Sequence, residues 1–175
     1  MKYIKSFLIY ICLLFPLTGI AQKKQLQTVR DQIKSGKELT KAENTLRGLL
    51  VDSVSKKNNK IWLLLCDALI KQYEQGNEKL YLKQKYDTAA FFSVTRRLYD
   101  TMSRFDSLDA KPDAEGRVRA KYRTKHAEFL NSIRPNLFNG GSYFIHKKDY
   151  NTAFDYYSDY LESANYPLFE GYDYM

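Results

Sequence analysis

The stretch Leu137–Leu161, LFNGGSYFIHKKDYNTAFDYYSDYL, constrains the fold of this chain more than any other. Its small, aromatic and alanine positions fall at the intervals of two antiparallel helices packed along facing stripes. Gly141 is followed three residues later by Phe144, and Ala153 stands three residues after Tyr150 and four before Tyr157. Residues three and four apart share one face of a helix. A glycine on such a face lets two backbones approach, and an aromatic one turn on fills the space beside it. Ala153 serves the same purpose from the second helix. Asn151 is placed to cap that helix, and Lys147 and Lys148 suit the negative end of the first.

This combination resembles a tetratricopeptide repeat, a helical hairpin with a period of about 34 residues and small and aromatic residues at set offsets. Leu137, Gly141, Phe144, Tyr150, Ala153 and Tyr157 stand where that family places its signature residues, while the closing proline, Pro167, is displaced from the family's place near Asn165. A cassette of apolar residue, N-cap, any residue and alanine occurs at Leu39-Thr40-Lys41-Ala42, Tyr86-Asp87-Thr88-Ala89 and Tyr150-Asn151-Thr152-Ala153. Ala42, Ala89 and Ala153 lie 47 and then 64 residues apart, so the copies are irregular, and Arg30 stands where the family prefers a small residue. The resemblance implies an all-α, right-handed solenoid of about seven helices with antiparallel neighbours, lengthened helices and an inserted segment. The repeat-like domain is expected over 22–165, with hairpins at about 24–54, 60–106 and 135–164 and an extra helix at about 114–133.

Before that domain the chain reads Met1-Lys2-Tyr3-Ile4-Lys5, an apolar run from Phe7 to Leu17, and then Gly19-Ile20-Ala21. A charged start, an apolar middle and a small-x-small site are the layout of a secretory signal peptide, here 1–21 with cleavage after Ala21. The apolar run is shorter than the ~20 residues that span a bilayer. Cys12 sits inside that run with no small residue just before it, which argues against a lipoprotein. Cleavage removes Lys2 and Lys5 and no acid, so the formal charge falls from +8 to +6. The leader places the mature chain in the periplasm, with no membrane span, and export argues against a nucleic-acid partner. The basic residues are spread among acids, and the longest basic tract, Lys56-Lys57-Asn58-Asn59-Lys60, reads as a solvated turn. Cys66 alone remains after cleavage, which excludes an internal disulfide.

Along the chain, Leu26, Val29 and Ile33 form one stripe of a first helix stopped at Gly36. Thr40 and Glu43 have capping-box spacing for the second, whose apolar face is Leu39, Ala42, Leu46, Leu49 and Leu50. Ile61 to Cys66 is apolar on all sides, the mark of a helix enclosed by neighbours, and Gly76 predicts a bend or break beyond it. A helix from Asp87 carries Phe91, Val94, Leu98, Met102 and Phe105 at steps of three and four. Asp106 to Gly116 is the expected loop. It lacks the alternating oxygen ligands and central glycine of a calcium loop. The fifth helix turns Val118, Tyr122, Phe129 and Ile133 inward and ends near Pro135. Leu168-Phe169-Glu170-Gly171 echoes Leu137-Phe138-Asn139-Gly140 at an interval of 31 residues, so 166–175 is expected to begin a further, truncated repeat. Its open face would be covered by more of the protein, by a partner or by self-association.

No catalytic constellation stands out, and the expectation is a protein without enzymatic activity, cofactor or metal. His126 and His146 lack zinc-site spacing and a cysteine partner. Gly140-Gly141 leads into an aromatic hairpin rather than a phosphate loop, and Ser142, Ser158 and Ser163 lack a strand-to-helix nucleophile setting. Tyrosines crowd the last third, too many for one helix to bury, and exposed tyrosine is a favoured contact at interfaces. The family resemblance implies a groove on the first helix of each hairpin: Phe138, Ser142, Ile145 and His146 in the best repeat, and Gln27, Asp31 and Lys34 in the first. These positions lack the lysine and asparagine set that clamps a C-terminal carboxylate in some members. The expected function is a protein or peptide-binding scaffold. Alternatives are the periplasmic sensor segment of a longer membrane-anchored regulator and a helical binder of carbohydrate or another small ligand.

Overall fold

A computed structural model describes residues 21–174, and the expected leader, apart from Ala21, lies outside the described residues. The described residues form helices and turns, with no strand. Six α-helices have both ends inside this range, one fewer than the number expected, and a further helical stretch, α1 (21–35), runs from its edge. Val29 of α1 is buried, with Leu26 and Ile33 packed against the core. Gly36, at φ +67°, stops α1 in the left-handed conformation, and Gly36 and Lys37 return their N–H groups to Ile33 and Gln32.

α2 (Leu39–Leu49) buries Leu39, Ala42 and Leu46 as expected. The capping box does not form. Leu39 is already helical and Glu38 holds the N-cap place at φ +52°, so Thr40 lies inside the first turn and Glu43 is drawn to arginines instead. After a short 3-10 turn, η1 (Ser55–Lys57), α3 (Asn59–Tyr81) starts at Asn58, whose side chain accepts the Lys60 N–H. α3 is continuous for 23 residues and does not break at Gly76. That glycine answers a neighbour: a Cβ there would come within 2.9 Å of the Tyr86 ring.

Asp87 caps α4 (Thr88–Asp109) by accepting the Ala90 N–H, and Phe91, Val94, Leu98, Met102 and Phe105 are all buried. α2 and α4 both pack on α3, while α4 also touches the next three helices and the C-terminal turn. In a regular solenoid each unit meets its neighbours only. Here the later elements gather around α4.

The expected helix over 114–133 is shorter, α5 (Arg123–Ile133), and Val118 is exposed in the preceding loop. Asp113 accepts the Glu115 and Arg117 N–H groups, and Gly116 has φ +77°, which together hold a turn where a helix would nucleate. α5 begins where the Asp109 carboxylate accepts the Tyr122 N–H and buried Asp106 takes Arg123 in a two-pronged pair at 2.8 and 2.9 Å. Asp106 thus belongs to α4 and is an ion-pair partner, not a loop residue.

α6 (Pro135–His146) and α7 (Tyr150–Ser163) form the expected hairpin. Its cap differs: Asp149, not Asn151, accepts the Thr152 N–H. The tail forms a 3-10 turn, η2 (Pro167–Phe169), that buries Leu168 and Phe169 against α4 and α5. The apolar pair expected on an open repeat face is therefore covered. Tyr174 completes the wrap by donating its hydroxyl to Asn131 at 3.0 Å.

Candidate functional site

α4 has two unlike faces. One carries the core, and the other presents Ala89, Ala90, Ser93, Arg96, Arg97 and Asp100 at helical steps. This second face is the floor of an open cleft of about 860 Å³. Arg47 of α2 bounds it on one side, and Phe144 of α6 with Tyr156 and Asp159 of α7 on the other. The first turns of the floor are small, so a ligand chain can approach the helix closely there.

Arg96 and Arg97 meet acids from distant parts of the chain, and Arg47 meets one a turn back on its own helix. Glu43, only 4% exposed, accepts Arg47 Nε at 2.9 Å and Gln72 Nε2 at 2.9 Å. Arg97 Nε lies 3.0 Å from the same Glu43 oxygen, but its N–H is misaligned and that nitrogen is left without a hydrogen bond. Arg97 donates instead to Ser93 Oγ at 2.7 Å and Gln72 Oε1 at 3.3 Å. Two guanidiniums share one carboxylate, so one positive charge is left over at the cleft wall. Glu43 thus accepts one hydrogen bond from Arg47 and one from Gln72 and attracts Arg97 without a third, while Ser93 and Gln72 orient the Arg97 guanidinium.

Arg96 is balanced differently. It pairs with Asp159, lies 3.8 Å from Asp155 and sits 4.8 Å over the Tyr156 ring. Burial works against its charge, but the hydrogen bond and attraction of Asp159 outweigh that and hold its pKa above the usual guanidinium value. Burial pushes the Tyr156 phenol up to about 12 and also raises Tyr166, so both present neutral hydroxyls at neutral pH. The cleft therefore offers oriented N–H donors and aromatic surface, with the surplus cation at Glu43 offset by the second carboxylate beside Arg96.

The expected signature residues divide between core and surface. Leu137, Ala153, Ala42 and Gly141 are buried in packing positions. Phe144 stacks on Tyr156 at 5.3 Å and, with Ala89, lines the cleft. Tyr150 is exposed, while Tyr157 lies against Gly141 and shares a hydrogen bond with Ser142 at 3.0 Å.

The two expected groove sets are not gathered into one site. Phe138, 49% exposed, stands against the Tyr157 and Tyr160 rings, and Ile145 and His146 are exposed near the end of α6. Gln27 donates to Asp31 at 3.1 Å in a bond within exposed α1, beside exposed Lys34. α1 is tied to α3, where Gln75 Nε2 donates to the Gly36 carbonyl, whereas α6 leans on α7 and α4. His126 is buried between Phe105 and Tyr122, and burial lowers its pKa. Cys66 is buried, and burial raises its thiol. Neither faces a cleft described above.

Arg47, Arg96, Arg97, Glu43 and Gln72 are the residues that sequence reasoning missed. A usable signal was there: Ala89, Ala90 and Ser93 lie off the apolar stripe of α4, and small residues off the core face mark close approach. Among the described residues no metal-holding set of three or more His, Cys, Asp or Glu occurs, and no helix is long and apolar enough to cross a membrane. No protein-family model, curated protein or solved structure matches the chain.

Proposed function

We propose that the protein is a non-enzymatic binding module of tetratricopeptide-like helical hairpins that takes a segment of a partner protein into the α4 cleft. The observation that carries this reading is the floor of Ala89, Ala90 and Ser93 between walls rich in arginine and tyrosine. A peptide brings a backbone that fits against small side chains, and carbonyls that accept from guanidinium N–H groups. Tyrosine and arginine are the residues on which interfaces concentrate their binding energy. The leader pattern of 1–21 supports a periplasmic location.

A random linear peptide library selected on the protein tests the reading. Enriched peptides should bind the wild type and lose at least about tenfold in affinity to Ala90→Arg, which fills the floor, but not to Lys24→Ala on exposed α1. Failure to enrich any peptide, or enrichment insensitive to Ala90→Arg, would count against it.

A further inference from the structure

A second cleft, at the end of the molecule where α2 finishes, α3 begins and α4 finishes, differs from the first in chemistry. It has a volume of about 600 Å³ and is lined by Lys56, Lys57, Arg104 and Lys111, with Trp62 and Leu108 supplying its apolar surface and no carboxylate in the lining. A smaller cleft of about 210 Å³ shares Lys56, Trp62 and Arg104 and adds Val51. Val51 is 84% exposed and Val54 is 77% exposed on the turn that links α2 to η1. Two β-branched apolar side chains thus stand exposed on the turn that leads into Lys56 and Lys57.

That turn is held in place. The Trp62 indole N–H donates to the Lys56 carbonyl at 2.9 Å, and the Asp52 carboxylate accepts the Ser55 N–H at 2.8 Å. The valines are kept outside by this bracing. Lys56, Lys57, Lys60 and Lys111 form no ion pair among the described residues, and Arg104 pairs with Asp100 at 2.6 Å. Asp109 is occupied by Asn59 Nδ2 and the Tyr122 N–H. Even with Asp52, Asp100 and Asp109 counted, five cations face three carboxylates.

We infer that this end of the protein docks on an anionic lipid surface, with Val51 and Val54 entering the headgroup boundary and Lys56, Lys57 and Lys111 set against lipid phosphates. Exposed apolar side chains on the same end as unpaired lysines combine the two contributions that hold a protein on such a surface, apolar burial and attraction to negative headgroups. An occupant from the chain itself is disfavoured by charge. Gln22 bonds Ser55 at this same end, but residues 1–20 carry Lys2 and Lys5 and no acid. The inference is independent of the peptide cleft on α4.

The test is flotation of the full chain with phosphatidylcholine vesicles, with and without phosphatidylglycerol. Binding is expected only with phosphatidylglycerol and should weaken as salt rises. Lys56→Gln, Lys57→Gln and Lys111→Gln should each weaken it about fivefold. Val51→Asp combined with Val54→Asp should weaken it by roughly tenfold while leaving the thermal unfolding midpoint in place. Equal binding to both vesicle types, or binding to anionic vesicles that none of these variants changes, would overturn the inference, since residues 1–20 are the same in every variant. Release of the vesicle-bound protein by millimolar inorganic phosphate at constant ionic strength would assign the cleft to a small anion instead. Binding to soluble polyglutamate without vesicle binding would assign it to an acidic protein, and no binding to any probe would also overturn it.

Discussion

The α6–α7 hairpin and the α2–α3–α4 group are both close-packed, but by different means. In the hairpin the contact is made by shape. Gly140 faces the Tyr156 ring and Gly141 faces Tyr157, each pair sixteen residues apart along the chain. In the α2–α4 group a mixed aliphatic and aromatic core is joined by a polar knot. Glu43 reaches Gln72 across 29 residues, and its partner Arg47 reaches Thr101 across 54. A shape contact fails when a side chain is too large, and a charged knot fails when one member is missing.

The largest effect should come from the knot. Glu43→Ala would leave Arg97 and Arg47 facing each other without a carboxylate. Removing one partner of a buried pair typically costs about 3 to 5 kcal/mol. The two arginine side chains are 33% and 37% exposed and relax toward solvent, so the low end, about 3 kcal/mol, is expected. Urea unfolding followed by fluorescence of Trp62, the one tryptophan, measures it. A loss below about 1 kcal/mol would mean that the apolar core holds α2 on α3 without the knot.

The glycines of the hairpin come next, and they should rank. A Cβ at Gly140 would lie 2.6 Å from Tyr156 Cδ1, and Tyr156 is buried, stacked on Phe144 and covered by Arg96. The ring has nowhere to go. Gly140→Ala should therefore cost about 2 kcal/mol by overpacking, even after the gain in helix propensity. At Gly141 the Cβ would lie 2.7 Å from Tyr157, which is half-buried and tethered through its hydroxyl to Ser142. Tyr157 can swing outward, so Gly141→Ala should cost less than about 1 kcal/mol. Thermal unfolding of the two variants in parallel gives the order, and a reversed order would mean that Tyr156 is the more mobile ring.

The same contrast explains what could be read from the sequence. The hairpin was legible because Gly141, Phe144, Ala153 and Tyr157 are local and periodic, and the α4 core stripe was legible for the same reason. Gly76 was misread as a break because its partner, Tyr86, lies beyond the end of the same helix. The start of α5 was missed because Asp106 and Asp109, which select it, act across a loop. The knot was not legible at all. Glu43 looked like a capping residue three places after Thr40, and only the fold brings Gln72 and Arg97 to it. The two sets expected to line a groove, around Phe138 and Gln27, lie on helices with different packing neighbours for a related reason: helix period places residues on a face, but which faces meet depends on α4 gathering the later helices.

His126 offers the smallest expected effect and tests whether the two regions melt as one. It lies on α5, which packs on both α4 and α6, with its ring against Phe105 and Tyr122; Trp62 stacks on Phe105 within the α2–α4 group. Burial, with Lys125 adding to it and Asp106 and Asp109 opposing, lowers the imidazole pKa below its ordinary value of 6.5. The folded state then binds fewer protons than the unfolded chain as pH falls through 6.5, so stability is full above that pH and declines below it toward the folded pKa. His126→Phe should remove this component, so the wild type should lose stability relative to the variant between neutral and mildly acid pH. Unfolding is best followed at both pH values by Trp62 fluorescence and by helical circular dichroism. Coincident transitions would mean that the shape-packed hairpin and the charge-knotted group unfold together through α5. Separation of the two signals at acid pH in the wild type, absent in His126→Phe, would show that protonation of this one ring uncouples them.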